Sequence, residues 1–149
     1  MHIEQKLASL GLTLPRGTVP VANFVSTAQT GNLLFVSGHI STALRGKLGR
    51  DVTKEQGYEA ARQTALDMLG SVHDALGDLD RVGRLVKLLG LVNSTDEFTE
   101  QPYVINGASD LFVEVFGTQG QQARSAIGVA QLPANAAVEI EMIVEVVNP

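Results

Sequence analysis

Two charged residues near the C-terminal end of the sequence are of the types that carboxylate chemistry needs. Arg124 precedes a run of small and branched residues, and Glu139 stands near the start of an alternating segment. An arginine side chain presents a planar pair of donors that fits a carboxylate, and a glutamate can hold or deprotonate a water molecule. The alternative is an ion pair across two strands on a wet face, which stabilises a fold by about 0–1 kcal/mol.

The segments that carry these residues have the patterns of strands. Residues 124–129 alternate between two sets of small or branched side chains, and residues 138–146 alternate apolar with mainly acidic side chains. A period of two is typical of half-buried strands. Because a short turn around Pro133 joins the two segments, we expect them to pair and to bring Arg124 and Glu139 to one end of a sheet.

The rest of the chain supplies the elements that complete this sheet. Three more strands are predicted, over residues 24–28, 33–40 and 82–92, with a turn at 29–32 between the first two and a loop or short edge strand at 44–50. Helices are predicted over residues 2–10, from a capping box at 53–56 to residue 76, and from residue 102 to 116. The expected fold is α+β: one mixed sheet with the two long helices on one face and a short N-terminal helix.

The composition excludes several classes of function. The chain has 149 residues, a net charge of −5 and no cysteine, so disulfides, thiol nucleophiles and thiolate metal sites are ruled out. A negative charge and few aromatic residues are unsuited to nucleic acid. No apolar run approaches the roughly 20 residues of a membrane span, and no signal peptide is apparent. We expect a single domain over residues 1–149 of a cytoplasmic protein that binds neither nucleic acid nor membrane.

The share of charged residues is low, at 18%, against about 25% in typical globular proteins. A homo-oligomer in which each subunit hides part of its surface would explain this value, and we favour that interpretation. A surface rich in Ser, Thr, Gln and Asn is the alternative.

Three stretches of sequence carry a family pattern. The first is Arg124-Ser125-Ala126, followed by a Leu-Pro pair at 132–133 and by Glu139 and Glu141 in alternation with apolar residues. The second is residues 31–39, Gly-Asn-Leu-Leu-Phe-Val-Ser-Gly-His, and the third is residues 78–87, between a long helix and a strand. These stretches resemble the Rid family, the YjgF-type reactive-intermediate deaminases also labelled endoribonuclease L-PSP. The resemblance as a whole covers about residues 20–147.

This resemblance implies a fold, an assembly and an activity. The fold is chorismate-mutase-like, and the assembly is a homotrimer with a site at each of its three subunit interfaces. Family members hydrolyse 2-imino acids and related enamines to 2-keto acids and ammonia, without a metal or an organic cofactor. The implied ligand of this chain is therefore a small carboxylate.

The resemblance also assigns roles to individual residues. Arg124 matches the arginine that grips the substrate carboxylate, and Glu139 matches the glutamate that helps to place the attacking water. Ala126 stands where a backbone carbonyl faces the same water. Ser37, next to Gly38, matches a serine that hydrogen-bonds the ligand. For Glu139 the alternative is an exposed strand carboxylate, and for Ser37 it is a hydroxyl bonded to the local backbone.

Three positions depart from the family pattern. Phe24 stands where the family usually has a tyrosine, so a phenol hydroxyl is missing from the substrate site. His39 replaces the glutamine that follows Ser-Gly, and either a structural or a functional histidine fits there. The asparagine of the family site aligns only loosely, with Asn106 or Ser109. These departures indicate a divergent subgroup.

The function that this pattern favours is hydrolytic deamination of reactive 2-imino acids or enamines. A binding protein that holds a small carboxylate without turnover is the alternative, because Phe24 lacks the hydroxyl. Ribonuclease activity is disfavoured by the negative charge and by the scattered positions of the histidines. A chorismate mutase would share only the fold, which does not carry function. The sequence leaves the identity of the substrate and its pathway open.

Overall fold

The computed structural model describes residues 2–148. Three helices and five strands follow one another in the predicted order: α1 (His2–Ser9), β1 (Thr27–Thr30), β2 (Leu33–Ile40), α2 (Lys54–Leu76), β3 (Val82–Asn93), α3 (Gln101–Phe116), β4 (Ala123–Val129) and β5 (Val138–Val146). None of these helices is both long enough and apolar enough to cross a membrane.

The five strands form one mixed sheet in the order β1-β2-β5-β3-β4. Only β3 and β4 are parallel, because α3 carries the chain back before β4 begins, whereas the other neighbours are antiparallel. The predicted pairing of β4 with β5 is therefore wrong. The last strand runs back along the other side of β3 and fills the place between β3 and β2, so the strands of Arg124 and Glu139 are separated by β3.

Helices α2 and α3 pack against each other and cover one face of the sheet. The predicted capping box is present, since the Thr53 hydroxyl accepts from the backbone N–H of Gln56 while the Gln56 side chain accepts from that of Thr53. The left-handed Gly77, at φ 80°, ends α2. Gly107 lets α3 approach α2 closely, because a Cβ there would lie 2.0 Å from the backbone oxygen of Tyr58.

The first strand begins later than predicted, at Thr27 instead of Phe24. The backbone N–H of Phe24 donates to the carbonyl of Ala22 at 2.9 Å, and such a tight turn is incompatible with a strand ladder. Phe24 therefore lies in the loop that leads into β1. Residues 44–50 form a loop with isolated bridges to residues 52, 94 and 136.

The sheet face away from the helices, here called the open face, has no cover in the single chain. It combines apolar side chains with the alternating acidic residues of β5. Phe35 and Ile127 on this face are 42% and 48% exposed, and a cavity of about 530 Å³ there is lined by Lys87, Ser125 and Glu141 among others.

Candidate active site

The candidate site lies at an irregular point of strand β2. The register between β2 and β5 shifts between Val36 and His39, and β1 pairs with β2 only as far as Val36. Residues 38–40 therefore form a free edge of the sheet. A bulge of this kind locally disrupts the ladder and re-aims the neighbouring side chains.

Glu139 packs directly over this irregular point. It is the partner of Ile40 across the ladder, and a Cβ on Gly38 would lie 2.2 Å from the Glu139 carboxylate oxygen Oε2. Only a glycine leaves room for the carboxylate in this position. Glu139, Gly38 and Phe24 line one cavity of about 500 Å³, whose apolar lining comes mainly from residues 19–24.

The Glu139 carboxylate is half-buried, and no residue among 2–148 supplies a charge that compensates it. Burial raises the pKa of the Glu139 carboxyl above its ordinary value, and the charge of Glu141 raises it further. Among the described residues, none donates a hydrogen bond to Glu139 or forms an ion pair with it. Since a raised pKa brings a carboxylate closer to the strength of an effective general base, this group suits the activation of water.

His39 has a structural role, because its ring connects strand β2 to the elements around the cavity. Its ring is only 6% exposed, and Nδ1 donates to the carbonyl of Ser37 at 2.7 Å, which can only accept. Nε2 is therefore the acceptor, and it lies 2.8 Å from the Ser71 hydroxyl on α2 and 3.1 Å from that of Thr18. Burial lowers the pKa of His39, so the ring is neutral and fastens β2 to both α2 and the loop that carries Phe24.

Arg124 lies on the far edge of the sheet, on the face covered by the helices. Its Nη1 donates to the Ser109 hydroxyl at 3.0 Å and its Nη2 to the carbonyl of Pro102 at 3.1 Å. Of the two candidates on α3, Ser109 is thus the one that contacts the arginine, rather than Asn106. Burial lowers the pKa of Arg124, with Asp110 acting in the opposite direction. Two of its five N–H groups are used, and within the described chain it forms no ion pair.

The chain does not bring Arg124 and Glu139 together. Arg124 is level with Leu88 and, through β3, with Met142, three residues beyond Glu139. At roughly 3.3 Å per residue and about 4.8 Å between strands, the two Cα atoms are roughly 14 Å apart. Leu88 and Met142 are buried under the helices, so Arg124 shares their face, while Glu139 alternates with them and points to the other.

Ser37 and Ala126 are also outside the cavity of Glu139. The Ser37 hydroxyl donates to the carbonyl of Val25 at 2.6 Å, and the residue lines the open face. Ala126 pairs with Gly90 and packs against the core beneath the helices. Within one chain, the predicted site residues therefore form two groups: Phe24, Gly38 and Glu139 in the cavity, and Arg124 and Ala126 on β4.

A second carboxylate in the cavity was not identified from the sequence. Asp67 on α2 lines the same cavity as Glu139. Its signal was present as a polar stripe at every fourth position of the helix, Glu55, Glu59, Gln63, Asp67 and Ser71. A stripe of this kind is typical of a solvated helix face, and nothing in the sequence shows that its end turns into a cavity.

A group of acidic residues elsewhere has a structural role. Carboxylate oxygens of Glu4, Asp78 and Asp80 lie within 4.8 Å of one another. Asp80 accepts from the backbone N–H groups of His2 and Ile3 at the start of α1, and Glu4 accepts from that of Leu79. These carboxylates therefore join α1 to the end of α2, and none of them lines the candidate site.

Comparison with known proteins agrees with this architecture. The family model described as "YjgF/chorismate_mutase-like, putative endoribonuclease" matches residues 4–146. The chain belongs to this YjgF family. Its fold is accordingly chorismate-mutase-like, as the sequence predicted, and the matched range includes residues 31–39 and 124–141.

Several known proteins resemble the chain over most of its length. Protein TCP17 of Trypanosoma cruzi is 47% identical over 99% of this chain and 96% of its own. A 2-iminobutanoate/2-iminopropanoate deaminase of Dermatophagoides farinae is 30% identical over 89% of this chain and 93% of its own. A crystal structure of an Agrobacterium tumefaciens protein of unknown function superposes with a TM-score of 0.91, at 46% identity, and covers 97% of this chain and 92% of that one.

Proposed function

We propose that this YjgF-family protein hydrolyses reactive 2-imino acids to 2-keto acids and ammonia. The observation that carries the proposal is the Glu139 carboxylate, which is half-buried over Gly38 in a cavity beside Phe24 and has no partner among the residues that the structure describes. Such a group is suited to hold and deprotonate a water molecule. The similarity to a mite 2-iminobutanoate/2-iminopropanoate deaminase supports the same chemistry.

The complete site requires a second copy of the chain. Arg124 supplies the cation that an imino acid carboxylate needs, but it lies roughly 14 Å from Glu139 along the sheet and on the opposite face. A homotrimer, in which β4 of one subunit approaches the cavity of the next, joins the two groups. The exposed apolar side chains of the open face support such an assembly, because association removes them from water.

The reaction then proceeds in two steps. Arg124 binds the substrate carboxylate through a two-pronged hydrogen bond, and the C=N carbon faces a water held by Glu139 and the backbone carbonyl of Ala126. The water oxygen bonds to this carbon while its proton passes to Glu139 and the imine nitrogen takes up a proton. In the resulting carbinolamine the nitrogen takes up the proton held by Glu139, the C–N bond breaks as the hydroxyl proton passes to solvent water, and ammonia leaves with the 2-keto acid remaining.

This chemistry makes modest demands on the site. The imine carbon is already electrophilic, so the protein supplies orientation and acid–base assistance, which contributes about 10²–10⁴-fold. A site with one arginine and one glutamate is therefore sufficient. Phe24 provides an apolar surface beside the reacting atoms.

A turnover assay tests the proposal. Imino acids are generated in situ by an amino acid oxidase, and the protein competes with semicarbazide for them. We expect wild type to lower semicarbazone yield and to release keto acid and ammonia. Arg124→Ala and Glu139→Gln should lose this activity, and Arg124→Lys should recover little of it, since a lysine cannot form the two-pronged contact. Arg50→Ala is the matched control, because Arg50 is paired with Asp51 at the surface.

The binding hypothesis predicts a different result. If wild type binds 2-keto acids through Arg124 but does not compete with semicarbazide, the protein is a carboxylate-binding member of the family. Full turnover in Arg124→Ala would contradict the assigned role of the arginine.

A further inference from the structure

The cavity of Glu139 contains a second carboxylate, which the deamination mechanism does not use. Asp67 lies on α2, and it lines the cavity together with His39 and Thr42. One of its oxygens, Oδ1, accepts from the Gln63 side chain at 3.2 Å. The cavity is lined by residues of the sheet, including Glu139 on β5, and by Asp67 on helix α2.

The charges around this cavity are of one sign. Neither lysine nor arginine occurs among the described residues that line it, and the buried ring of His39 is neutral. Burial raises the pKa of Asp67, as it does that of Glu139. Both carboxylates are thus held in partly desolvated positions, and the described residues of their own chain supply no cation to the cavity lining. A positively charged group entering the cavity would be attracted by both.

The cavity also has room beyond the reacting atoms. Its volume of about 500 Å³ is within the range of about 300–1,000 Å³ that is typical of pockets for drug-sized ligands. A four-carbon imino acid held beside Glu139 and Phe24 leaves much of this space unfilled. Asp67 and the apolar side chains of residues 19–21 line the same cavity, a combination that suits an aliphatic chain with a polar end.

We propose that Asp67 makes this site selective for 2-imino acids whose side chain ends in a cation, such as those formed from basic amino acids. The inference rests on the proposed function for the position of the reacting carbon at Glu139. The substrate carboxylate is bound by Arg124, its aliphatic chain follows residues 19–21, and its terminal cation pairs with Asp67. Asp67 contacts the substrate side chain and takes no part in the hydrolysis.

Imino acids from arginine and citrulline provide a matched pair of substrates. The two have nearly the same shape and length, and only the arginine-derived one carries a terminal charge. We expect wild type to show a kcat/KM about tenfold or more in favour of the arginine-derived imine. Asp67→Asn should remove most of this preference by lowering turnover of the arginine-derived imine alone. Glu59→Gln removes a charge two turns earlier on the same helix and should keep the preference.

Two results would overturn the inference: equal use of the two imines by wild type, or a preference that survives Asp67→Asn. Binding of the corresponding 2-keto acids, measured by calorimetry, decides the matter separately from catalysis. One outcome is that no imine is hydrolysed, but wild type binds the arginine-derived keto acid about tenfold more tightly than the citrulline-derived one and Asp67→Asn removes that difference. The specificity then stands and the proposed hydrolysis fails. If hydrolysis occurs without that difference in binding or in kcat/KM, the specificity fails alone.

Discussion

Substitutions at Phe24 test whether the proposed site needs the phenol hydroxyl that the family usually has at this position. It is 48% exposed in the single chain and lines the cavity of Glu139. We expect Phe24→Tyr to change imine turnover by less than about tenfold, because one added neutral hydrogen bond is worth about 0.5–1.5 kcal/mol. Phe24→Ala should cost about tenfold or more, since it removes roughly half-buried aromatic surface from the cavity. Steady-state rates of the three proteins give the comparison.

The same three proteins distinguish the two hypotheses on function. Turnover that appears only in Phe24→Tyr would mean that the natural chain binds its ligand without hydrolysing it. Equal rates in all three would place Phe24 outside the site.

His39 provides a prediction about pH. Its pKa in the folded chain is lowered by burial from an ordinary value of 6.5, so the unfolded chain binds a proton there before the folded chain does. The free energy of unfolding should therefore decrease as pH falls below about 6.5, by at most about 1.4 kcal/mol per pH unit from this residue. His39→Gln should remove that contribution and flatten the dependence.

Urea unfolding at pH 7.5 and 5.5, at one protein concentration, measures the effect. The raised pKa values of Asp67 and Glu139 act with the opposite sign, because the folded chain then binds protons first as pH falls. They are present in both proteins, so the difference between the two slopes reports on His39. If the free energy of unfolding changes equally with pH in wild type and in His39→Gln, the pKa of His39 is not lowered in the folded chain.

At the scale of elements, alanine substitutions at two glycines distinguish an effect on the site from an effect on the stability of the fold. Gly38→Ala places a methyl group against the flexible carboxylate of Glu139, 2.2 Å from Oε2, so Glu139 moves while the sheet remains. We expect turnover to fall on the order of 100-fold with little change in stability. Gly107→Ala meets the rigid backbone of Tyr58 instead and should destabilise the fold by about 1–3 kcal/mol. Thermal unfolding and turnover are measured on both, and a Gly38→Ala protein with wild-type rates would contradict the position of Glu139.

The sequence predicted the elements better than their arrangement. The period of two in β5 and the capping box of α2 are local signals, and both are confirmed. The pairing of β4 with β3 was missed because proximity in the sequence favoured a hairpin between β4 and β5, whereas the sheet order depends on the crossover through α3. The role of His39 could not be predicted either, because the Ser71 hydroxyl that contacts its ring lies 32 residues away in the sequence. Asp67 has no local signal that separates it from a solvated helix residue.

At the scale of the whole molecule, we expect a homotrimer of three times 15.8 kDa. Phe35 on the open face and Val113 on α3 are similarly exposed, at 42% and 39%, and form a matched pair for testing it. Phe35→Asp should dissociate the assembly and abolish turnover, because a carboxylate would be buried between subunits without a partner. Val113→Asp should leave both unchanged. Light scattering at micromolar concentration gives the masses, and a monomeric wild type would contradict an interfacial site.

The position of β5 has a consequence for synthesis of the protein. This strand is the middle one of the sheet, yet its nine residues follow the other four strands in the sequence. Until residue 146 has emerged from the ribosome, β2 and β3 each present an unpaired, apolar edge to solvent or to other nascent chains. Before β5 is available, the sheet consists of two parts that are not joined: the β1–β2 hairpin, and the unit of β3, α3 and β4. Closure of the sheet therefore has to wait for β5, and we expect chaperones that shield strand edges to act before it.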